Sequence, residues 1–233
     1  MIKSPAVEYG LEMAYFLKNR LKGFPSSPAG PIFLALLMII LAGCAATPKA
    51  STALYPILGE KTAEMQKMGY KPHGRFWSFT NAEVVITVRH VTQDNIEPTY
   101  IDVVDELAAK GYIFLKLDIK NLSNRINITF NPALTSLTTN SLDYKKPLDY
   151  TDFYDFVKES VGAQAQLGAL SSVIYDNTQT IKSSQTASKF LIFPPLSKDF
   201  TTADLVITDL YIHTKPYALS FPFQLQKLND LLP

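Results

Sequence analysis

Cysteine is almost absent from this sequence: one residue in 233, Cys44, carries a thiol. That excludes an internal disulfide framework and a cysteine zinc cluster. Histidine is nearly as scarce, and the three present, His73, His90 and His213, lie far apart with no H-E-x-x-H run or close pair. Such spacing offers no metal signature, and the expectation is no metal and no cofactor. An excess of charge of either sign is missing too. Lys and Arg number 22 against 21 Asp and Glu, a net charge of +1, so the chain lacks the cationic surplus with which a nonspecific nucleic-acid binder displaces counterions. No nucleic-acid partner is expected. Long apolar runs are also lacking: Ile32 to Leu41 spans ten residues, about half of the roughly 20 that cross a bilayer as a helix. What remains, 47% hydrophobic and 18% charged, is the composition of a globular chain.

The short apolar run has a context. Lys18, Arg20 and Lys22 precede it, a Ser/Pro/Gly break follows them, and the run ends in Leu41-Ala42-Gly43-Cys44. A basic flank, an apolar core of about 7 to 15 residues and a small-residue cleavage site are the order of a secretory signal peptide. The bland alternative is a free cysteine that happens to follow an apolar segment. The four residues resemble the lipobox of bacterial envelope lipoproteins, with Cys44 at the lipidated position. That resemblance implies cleavage before Cys44, a diacylglyceryl group on its sulfur and attachment to a membrane. Two or more acyl chains anchor stably where one holds only marginally. Ala45, in place of an aspartate, implies the outer rather than the inner membrane where a cell has both. The leader before Ile32 is long for the class, and Met13 would be a more ordinary start that keeps the basic flank.

The expected organisation is therefore a signal peptide over 1–43, a lipidated tether over 44–55 and a single domain over 56–233. Without residues 1–43 the formal charge is −1. Ala45 to Tyr55 is small, polar and weakly patterned, the composition of a tether. A short helix is predicted over Glu60 to Met68, stopped by Gly69. Strands dominate the rest. Glu83 to His90 alternates, with Val84, Ile86 and Val88 on one face. Tyr112 to Lys120 alternates more cleanly, with Ile113, Leu115, Leu117 and Ile119 facing one way and Lys116, Asp118 and Lys120 the other. Ile126 to Phe130, Leu134 to Thr138, Leu142 to Lys146, Lys189 to Phe193, Asp204 to His213 and Tyr217 to Leu225 complete about eight strands. Pro222, lacking an N–H, assigns the last of these to a sheet edge. Helical insertions are expected over about 101–110, packing through Val103, Val104 and Leu107, and over about 152–175. The second carries Phe156, Ala163, Leu167, Leu170 and Ile174 at helical spacing. Asn177 to Ser188 is polar and reads as a loop or a frayed helix end. Short strands separated by turn signals suggest a mainly β protein, an antiparallel sandwich. The stretch from about 83 to 225, with LKLDIKNLSN leading into INITFNPALTSL and a late FLIFPPL, also resembles the immunoglobulin-like domains of bacterial envelope lipoproteins.

Chemistry is harder to find. No G-x-S-x-G elbow occurs, and the best nucleophile by type, Cys44, is assigned to lipid. No catalytic residue is expected, and the protein is read as noncatalytic. Aromatics are plentiful, with 12 Tyr and 14 Phe, and concentrate over Tyr70 to Trp77 and over Tyr144 to Phe156. Such clusters cover cores more often than they bind, yet exposed tyrosines can also stack on sugars or line a protein interface. Tyr144, Tyr150, Phe153, Tyr154 and Leu167 are the candidate surface. Leu167 stays open between a docking face and a stripe lying on the sandwich. The leading expectation is a membrane-attached module that binds another envelope protein; the alternative is a glycan- or small-ligand-binding lipoprotein using the tyrosine-rich surface. The sequons at Asn121 and Asn127 are read as turn and strand residues.

Overall fold

Alternating apolar residues assemble two antiparallel sheets that pack face to face, and the protein is mainly β. The computed structural model describes residues 52–92, 102–197 and 199–227. The leader, the Leu41–Cys44 motif, the tether as far as Ser51 and Ile101 lie outside the described residues.

One sheet contains β2 (Tyr70–His73), β3 (Phe76–Thr80), β4 (Val84–Val91), β5 (Ile113–Asn121) and β10 (Thr186–Phe193), in the order β10-β5-β4-β3-β2. The other runs β1-β12-β11-β6-β9, from β1 (Thr52–Pro56), β12 (Lys215–Lys227), β11 (Thr202–Ile212), β6 (Ile128–Phe130) and β9 (Gln179–Ile181). On β11 the hairpin β7 (Thr135–Thr139) and β8 (Tyr144–Lys145) also pairs, along the first half of the strand, while β6 takes the second half. The changeover coincides with a register shift between Ile207 and Leu210, an extra-residue irregularity that lets one strand serve two partners.

Between the sheets lies the main core. Val84, Ile86 and Val88 of β4 and Leu115, Leu117 and Ile119 of β5 are fully buried against Leu205, Ile207, Phe221 and Phe223, as the alternation predicts. Trp77 is wholly buried, and its Nε1–H donates to Pro222 O at 2.6 Å, joining β3 to β12 across the sandwich. Tyr70 packs edge-on to both Trp77 and Phe221.

A second core forms on the outer face of the β10-β5-β4 sheet. Four α-helices are present among the described residues: α1 (Glu60–Lys67), α2 (Asp102–Ala109), α3 (Tyr150–Val157) and α4 (Ala163–Val173). Val91, Phe114 and Ile192, which point away from the main core, are covered by Val104 and Leu107 of α2, Phe153 and Val157 of α3, and Leu167 and Leu170 of α4. Half-burial of β5 therefore holds over Lys116 to Lys120 and fails at Phe114, where helices supply a third layer.

The helices begin and end for local reasons. In α1 Thr62 Oγ1 accepts the Gly59 N–H at 2.9 Å and donates to Ile57 O at 3.2 Å. Its far end is closed by Gly69, at φ 99°, and a β-carbon there would stand 2.4 Å from Thr80 O. In α3 Asp149 accepts from Thr151 and Asp152 N–H, while Asp152 accepts from Asp149 N–H, a reciprocal cap that sets the start.

Four sequence expectations are corrected. The long helix over 152–175 is two helices, because Gly162 at φ 78° is the N-cap of α4 and a left-handed residue cannot sit inside a helix. The loop assigned to 177–188 contains β9 and the first residues of β10, with Ile181 buried opposite Ile128. The tether expectation fails over 52–55: Thr52 to Pro56 pairs with β12, and Leu54 lies in the main core. Pro222 does not mark an edge, since β12 has β1 on one side and β11 on the other. A residue's N–H and C=O point to the same side of a strand. The Pro222 carbonyl accepts from Ile57, just past the end of β1, so the missing N–H falls where that ladder stops.

Candidate functional site

Helix α3 divides its aromatics between two faces. Phe153 and Val157, four residues apart, are buried in the second core, at 1% and 0% exposure. Tyr150 and Tyr154, at the same spacing, are 45% and 48% exposed. The structure thus brings Tyr150 and Tyr154 together on one outward face, held by the reciprocal cap at one end and by buried neighbours beneath. Phe156, on a third side, sits edge-on to Tyr112 with ring centroids 6.1 Å apart, under the ammonium of Lys110. Two ring faces with phenolic hydroxyls at their rims can pack against apolar groups and exchange hydrogen bonds at the same time.

The other candidates separate from this pair. Tyr144 is exposed but stands on β8, opposite Thr138. Phe153 and Leu167 are corrected from surface to core. Leu167 is 2% exposed and packs with Leu170, Ile174 and Phe153 beneath the helix pair, because the apolar stripe of α4 lies against the sheet instead of facing solvent.

The three histidines remain dispersed. His73 stacks on Phe76 at 5.0 Å; His213 occupies the turn between β11 and β12. His90 is half-buried, and its Nδ1 accepts the Leu54 N–H at 3.0 Å. Burial lowers its pKa to about 4, so the ring is neutral at pH 7 and able to accept. Among the described residues no group of three His, Cys, Asp or Glu could hold a metal ion. Burial also pushes the Tyr175 phenol upward; its hydroxyl donates to Leu117 O at 3.2 Å inside the main core.

Two residues are placed by the structure where the sequence carries no sign of it. Asn121, read as a turn residue, is 1% exposed, and its Nδ2 reaches Ile126 O, Ile181 O and Lys182 O at 2.8–3.1 Å, tying β5 to β9 and the turn before β6. Leu142, at the tip of the β7–β8 hairpin, is 93% exposed with φ 66°. No protein-family model, curated protein or solved structure matches the chain.

Proposed function

We propose that this protein is a noncatalytic lipoprotein of the bacterial envelope, held to a membrane through Cys44 and presenting the Tyr150–Tyr154 face of α3 to another envelope protein. The observation that carries the reading is Leu41-Ala42-Gly43-Cys44 at the end of a ten-residue apolar run, with the chain's only thiol in the last position. Strand β1 begins at Thr52, eight residues after Cys44, so the link to the membrane spans at most about 28 Å. A domain on such a leash meets its partners close to the bilayer. Ala45 directs the protein to the outer membrane in cells that have two.

The partner face is supported by the two half-exposed tyrosines at helical spacing on a capped helix. Interface cores are enriched in tyrosine, which offers a large rigid contact with a polar rim. The immunoglobulin-like part of the reading rests on two facing antiparallel sheets with Trp77 buried between them. The β2-β3-β4-β5 meander within one sheet is where it departs from Greek-key connections.

Photo-crosslinking in living cells tests the interaction. A benzophenone side chain at Tyr154 is expected to capture one discrete envelope protein, and the same group at the exposed Lys182 is not. Identical patterns at both positions would contradict the assignment. Saturable protection of Tyr154 by soluble wall fragments would favour the glycan-binding alternative.

A further inference from the structure

Between β7 and β8, the Thr139 N–H donates to Asp143 O at 3.0 Å and bounds a three-residue loop whose last residue is Leu142, with Leu142 N–H donating to Thr139 O at 3.1 Å. Hairpins of this length turn through a left-handed residue in their last loop position, where glycine or asparagine rests without strain. Leu142 takes that conformation at φ 66° and leaves its side chain 93% exposed. A lone exposed leucine is ordinary. A leucine that is both strained and projecting is not, since either defect would be removed by glycine.

The polar neighbours are all turned back onto the domain. Asn140 Nδ2 donates to Thr201 Oγ1, and its Oδ1 accepts from Thr201 and Thr202 N–H. Asp143 Oδ2 accepts the Ser197 N–H at 2.8 Å, and Ser141 Oγ lies 2.8 Å from Ser197 Oγ. The loop is braced on both sides, and Leu142 is what it holds out.

Strand register places this tip. Thr139 pairs with Ala203, Thr202 with Gln224, and Thr52 with Lys227, so the tip and the first residue of β1 lie at the same end of one sheet. Three strand spacings separate β7 from β1, about 14 Å. Eight residues lead from Cys44 to Thr52, and fully extended they span at most about 28 Å.

We propose that Leu142 is a second membrane contact, which enters the acyl-headgroup boundary and fixes the orientation of the domain on the bilayer. The inference rests on the lipid-anchored reading of Cys44 and adds to it a direction: the end of the sheet bearing Thr52 and Leu142 faces the lipid. The acyl chains supply affinity; Leu142 limits rotation about the tether.

The test uses the full chain, expressed and processed in cells and reconstituted in vesicles of phosphatidylethanolamine and phosphatidylglycerol. Lipidation blocks the thiol of Cys44, so Leu142→Cys supplies the one site for a nitrobenzoxadiazole dye. Thr214→Cys, in the turn at the opposite end of β11 and β12, is the control. The expected result is a blue-shifted emission, several-fold brighter and quenched by spin-labelled lipid, at 142 and not at 214. Ser141→Cys repeats the measurement from the same tip should Leu142→Cys not fold. Equal emission at both ends, or a blue shift at 142 that lipid quenchers do not reach, would overturn the proposal. Dye incorporated at Cys44 itself would instead overturn the lipid anchor, a failure told apart by labelling the wild-type chain alone.

Discussion

His90 Nδ1 accepts the backbone N–H of Leu54 at 3.0 Å, and the bond crosses from β4 in one sheet to β1 in the other. It pins β1, the first strand among the described residues, to the sheet it faces. Only a neutral imidazole can accept, and burial holds the His90 pKa at about 4 against about 6.5 in an unfolded chain. A lowered folded pKa means that the unfolded state binds the proton first as pH falls. The contribution is complete above about pH 6.5 and is lost as pH drops to about 4, on the order of 3 kcal/mol in all. Denaturant melts across that window are expected to show the loss in wild type and a flatter profile in His90→Gln, whose amide oxygen still accepts. Parallel profiles would contradict the assignment.

Gly69 and Gly74 both have positive φ, 99° and 54°, but their surroundings differ. A β-carbon at Gly69 would stand 2.4 Å from Thr80 O, whereas nothing lies within 4 Å of one at Gly74. Each alanine substitution costs about 1 kcal/mol for the left-handed conformation, and Gly69→Ala adds a backbone clash. Equilibrium unfolding is expected to rank Gly69→Ala well below Gly74→Ala in stability; equal losses would show that the end of α1 can shift to make room.

Leu167→Asp places a carboxylate in the apolar cluster with Leu170 and Phe153, and is expected to cost more than about 4 kcal/mol. Tyr150→Ala removes the other exposed ring of that face and is expected to stay within about 1 kcal/mol of wild type while weakening the crosslink formed from position 154. A stable Leu167→Asp domain would return that residue to the surface.

Much of the sandwich can be read along the chain because period-two alternation survives wherever a strand has one buried face, as in Val84, Ile86 and Val88 or Leu115, Leu117 and Ile119. It fails where burial is decided by distant parts. Phe114 is covered by helices on both sides of it in the chain, two of them more than 35 residues away, and Leu54 enters the core by pairing with Leu225 near the other end of the chain. The break in the long helix hides because Ala163, Leu167 and Leu170 continue the stripe that Phe156 begins, and Gly162 reads as a small cost instead of a left-handed stop. At the candidate site helical spacing groups Tyr150 with Tyr154 and Phe153 with Val157, but it cannot say which of the two pairs faces inward. Leu142 carries no signal because the loop conformation that makes it unusual is set by hydrogen bonds to Ser197 and Thr201.

Leu142→Gly offers a reversal of the usual rule for leucine. Truncating a leucine normally destabilises, but here glycine relieves a left-handed backbone and removes an apolar side chain from water. The variant is expected to melt at the wild-type temperature or above it. A loss of more than about 1 kcal/mol would show that the side chain packs against the domain.

The central claim is that Cys44 carries lipid, and metabolic labelling with a clickable palmitate analogue tests it most directly. A serine hydroxyl does not replace the thiol in thioether formation, so wild type is expected to take up label and run at the processed size, and Cys44→Ser to remain an unlabelled, full-length precursor. Label retained on Cys44→Ser, or absent from wild type, would contradict the account.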